Sequence, residues 1–155
     1  MHGYQIRNVS ERPYLYTLVT TSRADMDMAI MAGFDKVWQH MSTHGIAHAG
    51  GNLTVFTSRT TEELNIRTGC LIAESDMHAV GHGVRAAKTP GGSAVYHLHH
   101  GSYNNLPKAY GRMLEYCREN GMRPTMPSWQ IYKNDPSDVL EEQLITDCYQ
   151  SLHSE

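Results

Sequence analysis

The stretch LHHGSYNNLPKAYGRMLEYCRENGMRPTMPSWQIYKND, residues 98–135, decides the fold, because residues 30–56 are a weaker copy of its middle. Ile30, Phe34, Val37, Trp38 and Met41 stand 76 positions before Leu106, Tyr110, Met113, Leu114 and Cys117, and that offset also carries Leu53, Val55 and Phe56 onto Trp129, Ile131 and Tyr132. Apolar residues recurring at intervals of three and four predict an amphipathic helix in each copy. Pro107 suits a first helical turn, where a missing amide hydrogen costs nothing, and Gly45 and Gly121 stand where left-handed C-caps belong. A duplicated module creates a seam near its pseudo-twofold axis, and clefts of that kind take small molecules.

Outward from this core, Tyr4–Val9, the turn-prone SERP and Tyr14–Val19 predict a strand hairpin. Tyr16 and Leu18 recur as Tyr96 and Leu98 at an offset of 80, and Val84–Lys88, the turn TPGGS and Ala94–His99 predict the same hairpin again. Four extra residues between hairpin and helix in the first copy account for the change of offset. Two further strand-like runs follow each helix: Leu53–Thr57 with Ile66–Ala73, and Trp129–Lys133 with Leu144–Leu152. The unit is ββαββ, used twice, near 1–78 and 79–155. The expected fold class is α+β, one domain over 1–155 with a largely antiparallel sheet and two main helices.

With 155 residues, 40% hydrophobic and 19% charged, the chain is long enough to bury a real core. A net charge of −3 and no run of Lys or Arg argue against direct nucleic-acid binding, and no segment reaches the roughly 18 apolar residues of a membrane span. The first residues lack the pattern of a signal peptide, so the expected location is cytoplasmic. Three cysteines without CxxC spacing predict neither a disulfide framework nor zinc; Cys70 in TGC and Cys148 in TDC read as packing residues at matching places. His40, His44 and His48, with His97, His99 and His100, invite a metal reading, but Gly45 interrupts the first set and no convergent second shell is visible. Neither a metal nor another cofactor is expected. No GxSxG elbow marks a serine nucleophile, and Ser102 is matched by Ser22.

HHGSY (99–103), the helix LPKAYGRMLEYCRENG, the segment WQIYKNDP (129–136) and the ending TDCYQSL together resemble the GyrI-like small-molecule-binding domain, the effector-binding domain of AraC-family and MerR-family regulators. The resemblance covers almost the whole chain and implies two strand-helix-strand-strand modules related by pseudo-twofold symmetry. It also implies a cleft between the modules, lined by aromatics, that binds hydrophobic and often cationic drug-like molecules. In the family pattern a glutamate stands two residues before the tyrosine of the EIY-like strand. Here that position is Gln130, before Tyr132, and an amide offers only dipoles to a cation. Asp147, in the TDCY strand, is the candidate to supply the missing charge.

The candidate ligand-binding set is Gln130, Tyr132, Trp38, Tyr96, Tyr103, Tyr110, Asp147 and His99, with no catalytic residue assigned. Alternation along a strand puts Gln130 and Tyr132 on one face and Trp129 and Ile131 on the other; the first pair is expected to face the cleft. His99 occupies the family's usual histidine ahead of the Gly-Ser/Pro-Tyr turn and is expected to orient that turn. The leading expectation is a stand-alone sensor or sequestering protein for a hydrophobic or cationic aromatic molecule, with no helix-turn-helix segment of its own and regulation, if any, exerted through a separate regulator. The resemblance also implies two alternatives: a hydrolase of cyclopropane-bearing genotoxins, which Gln130 weakens because an amide is a poor general base, and a protein-interaction module directed at DNA gyrase.

Overall fold

The computed structural model describes residues 3–59 and 63–153. The first half supplies β1 (Tyr4–Val9), β2 (Pro13–Thr21), α1 (Met26–His44), β3 (Asn52–Arg59) and β4 (Leu64–Leu71). The second supplies β5 (Arg85–Lys88), β6 (Gly92–His100), α2 (Leu106–Glu119), β7 (Pro124–Tyr132) and β8 (Ile145–Leu152). Short 3₁₀ turns at 74–76, 103–105 and 141–143 complete the order. Both helices end where expected, at Gly45 and Gly121, whose φ values of 66° and 70° lie in the left-handed region that an L side chain resists.

All eight strands form one antiparallel sheet in the order β1-β6-β8-β7-β3-β4-β2-β5. That order reads the same from either end once each strand is exchanged for its equivalent in the other half, so two ββαββ modules meet along β3 and β7. The α+β class and the paired modules are present, but the predicted local hairpins are not. β1 pairs with β6 of the other half, Tyr4 opposite His97, and β5 pairs with β2, Pro13 opposite Lys88. The turn-forming sequences between them are instead crossing points: Arg12 donates its backbone N–H to Thr89 Oγ1, and Thr89 donates its own to the Arg12 carbonyl. Strand-like composition identifies a strand without identifying its neighbour.

The register also revises the match between the last strands. Gly69 lies opposite Tyr16, and Tyr149 lies opposite Tyr96, so with Tyr16 and Tyr96 as equivalents Gly69 corresponds to Tyr149, and Arg67 to Asp147. TGC and TDC are therefore slid by two residues rather than superposed. Because the slide is even, Cys70 and Cys148 still share the helix-facing side. Both are buried, and burial pushes their thiols up to about 11 and about 12.

The two faces of the sheet have different covers. On one, α1 packs over β2 and β4 through Val37 and Met41 with Leu15 and Cys70, while α2 packs over β6 and β8 through Tyr110, Met113 and Cys117 with Val95 and Cys148. The other face carries no helix. Its residues Tyr14, Leu53, Val55, Leu71, Ala94, Trp129 and Ile131 are all buried in one cluster, which also takes in Val9 of β1 and Ala87 of β5. The two edge strands thus meet in one core, and the sheet must curl to bring them there.

Candidate functional site

Each helix covers one flank of the sheet, so the central strands β3 and β7 lie open between them as the floor of a cleft of about 1120 Å³. The apolar walls come from Ile30, Phe34, Trp38 and Met41 of α1 and from Leu106 and Tyr110 of α2. On the floor, alternation points Thr54, Gln130 and Tyr132 to the helix side while Trp129 and Ile131 join the opposite core. Gln130 Nε2 donates to Tyr132 Oη at 2.6 Å, and Tyr132 Oη lies 2.9 Å from Thr54 Oγ1, which links the two halves across the seam.

Tyr132 is the junction of the site. It packs against the hydrophobic clusters beneath both helices, meets Phe34 edge-on at a centroid distance of 5.7 Å and meets Tyr103 edge-on at 5.2 Å. Burial pushes its phenol up to about 12, with the hydrogen bonds to Thr54 and Gln130 acting in the opposite sense. Phe34 and Trp38 stack at 5.9 Å, and Trp38 donates its indole N–H to Asn52 Oδ1 at 2.8 Å. Trp38 was expected to share the buried stripe of α1 but is 39% exposed, because that side of the helix faces the open cleft. Tyr110 donates to the Trp129 carbonyl at 2.7 Å, which ties α2 to β7.

Of the eight candidate residues, Trp38, Tyr103, Tyr110, Gln130 and Tyr132 line the cleft, and Tyr96, His99 and Asp147 do not. Asp147 lies opposite Ile131 and Leu98, on the helix-free face. There it accepts the Tyr96 hydroxyl at 2.5 Å, and Lys133 Nζ approaches at 3.7 Å. It cannot stand in for the family glutamate, since a side chain one residue out of phase emerges through the other side of the sheet. Tyr96 is held there too, beneath the Arg7 guanidinium at 3.7 Å. His99 is buried, with Nε2 3.1 Å from the Ser102 carbonyl, at the turn that leads into α2.

Residues missed from sequence are Phe34, Ile30 and Thr54, which share the cleft or its floor, and the polar mouth: Asp27, Asp135, Asp138 and Glu141 with Arg23. The helical spacing predicts Phe34 as core; that it also faces the cleft depends on where α2 sits. The hydrogen bonds from Ser137 hold the Asp135 carboxyl below its ordinary range, so it is ionised at neutral pH. Among the described residues, no three side chains of the metal-binding types converge, although His40 and His44 lie with ring centroids 4.2 Å apart.

The fold recurs in solved structures. The EcmrR C-terminal domain matches with a TM-score of 0.79 at 12% identity, covering 98% of each chain. In the EcmrR–DNA complex the whole of this chain spans 59% of the longer protein, again at a TM-score of 0.79 and 12% identity. SAV2435 bound to tetraphenylphosphonium matches at 0.63 and 12% identity, covering 97% of this chain and 94% of the other. A protein described as a hydrolase from Listeria innocua matches at 0.65 and 13% identity, covering 98% and 92%. No curated protein matches the sequence. The model of the GyrI-like small molecule binding domain matches residues 2–152, and the chain therefore belongs to the GyrI-like family.

Proposed function

We propose that this protein is a small-molecule receptor of the cytoplasm, a sensor or sequestering agent that takes a hydrophobic aromatic compound, neutral or cationic, into the cleft between α1 and α2. The observation that carries the reading is the open floor at Tyr132, where rings from both modules converge around an unfilled apolar volume. Burying about 200 Å² of apolar ligand surface contributes roughly 5 kcal/mol before the entropic cost of association, so binding needs no covalent step. The tetraphenylphosphonium bound to the SAV2435 neighbour agrees with this ligand class. A regulatory effect would pass through a partner protein that responds to the occupied form.

Binding is favoured over hydrolysis because the described floor offers an amide and two hydroxyls, and Asp147 of the adjoining strand β8 is on the other side of the sheet. The test is calorimetric titration and thermal shift with tetraphenylphosphonium and with neutral polycyclic aromatics. Tyr132→Ala is expected to weaken binding by about 1–3 kcal/mol through loss of ring contact and buried area. Unchanged affinity in that variant, or turnover of the compound, would overturn the reading.

A further inference from the structure

The charges of the cleft are distributed in an unusual order for a cation receptor. Gln130 is only 5% exposed, and its Nε2 is committed to Tyr132, while its Oε1 has no donor among the described residues and is not sealed from the cleft that the residue lines. The deep end therefore presents one neutral acceptor. The carboxylates Asp27, Asp135, Asp138 and Glu141 are all exposed and stand at the mouth with the cation Arg23, whereas the Lys133 ammonium is turned to Asp147 on the other face of the sheet. An acceptor at the bottom and a net negative rim select for the two ends of a ligand separately. A cation held deep would meet aromatic rings and dipoles but no opposing charge after losing its water, whereas a cation at the mouth keeps solvent and gains the rim.

Building on the binding reading above, we infer that the ligand is an elongated amphipath that enters apolar end first, donates a hydrogen bond from a neutral N–H or O–H to Gln130 Oε1, and leaves a terminal ammonium at the mouth. Compact cations with a central charge, such as tetraphenylphosphonium, fit this distribution less well. The selectivity so produced depends on Gln130: a carboxylate there would draw the positive charge to the floor instead.

The experiment titrates the intact protein with a homologous series of indol-3-yl alkylamines, the matching neutral alcohols and the N1-methylated amines. Amines should bind more tightly than alcohols, by about threefold to tenfold at low salt, and the two should converge at high salt because exposed charges are screened. The variant Asp27→Asn/Asp138→Asn/Glu141→Gln, whose changes are all exposed, should erase the amine preference while leaving the alcohols unaffected. N1-methylation should cost about tenfold in the native protein and nothing further in Gln130→Met, consistent with loss of a single buried hydrogen bond. An amine preference that survives both high salt and rim neutralisation would place the cation deep and overturn the inference. Equal binding of N1–H and N1–methyl compounds to the native protein would overturn it as well. Failure of the neutral alcohols and of every amine to bind would overturn the receptor reading itself, a result distinct from either.

Discussion

Tyr132 illustrates how much of the site rests on one phenol. Its ordinary value is 10.0, and burial pushes it up to about 12. Below about pH 10 it is protonated in folded and unfolded chains alike, and its contribution is complete. Between about pH 10 and 12 the unfolded chain releases the proton while the native state retains it, so stability falls as pH rises, by an amount of order 2 kcal/mol. Tyr14 and Tyr149 are raised for the same reason, desolvation, and steepen the same limb. Urea midpoints at pH 9, 10 and 11 are expected to fall less in Tyr132→Phe than in the native protein; parallel slopes would mean that the phenol is not buried as described.

At the scale of the element, α1 approaches the sheet closely enough that Gly33 is required. A Cβ there would overlap Thr68 Oγ1 on β4, an atom that is itself buried without a hydrogen-bond partner. Gly33→Ala is expected to cost about 1–3 kcal/mol by overpacking, and Thr68→Ala in the same chain should recover part of it, since Thr68 Cβ would still lie 2.9 Å from the added methyl. Gly69 poses a different constraint, because its Cβ would meet the Leu15 carbonyl of the paired strand rather than a side chain. Gly69→Ala should therefore destabilise more, with no single side-chain substitution restoring it. Chemical denaturation of the two single variants and the Gly33→Ala/Thr68→Ala pair distinguishes the cases. The spacing of Ile30, Phe34, Val37 and Met41 made α1 legible in the sequence, but nothing local marked Gly33 as the contact point.

For the molecule as a whole, exchange of strands between modules makes each half depend on the other. Among the described residues β1 pairs only with β6 and β5 only with β2, and all eight strands contribute to the helix-free core. Separate chains of residues 1–78 and 79–155 are expected to be unfolded or aggregated alone and to recover native circular dichroism when mixed. Independent folding of either half would contradict the shared core. The cleft has the same dependence, since its floor is the pair β3 and β7, one strand from each module.

Periodicity and repetition in the sequence were sufficient to determine the two helices, their C-caps, most of the strands and which elements are equivalent, though not the residue match of the last strands, because helical period, strand alternation and left-handed glycines are local properties of the chain. The same alternation separated Gln130 and Tyr132 from Trp129 and Ile131. Only the tertiary structure decided that Tyr4–Val9 would pair with β6 rather than with its neighbour β2, that Asp147 would emerge behind the sheet, and that α1 and α2 would stand far enough apart to leave Tyr132 at the bottom of an open cleft. Those outcomes depend on strand order and register between distant segments, and any strand-like run satisfies its own backbone equally well beside several partners; burial of both faces of the assembled sheet selects among them.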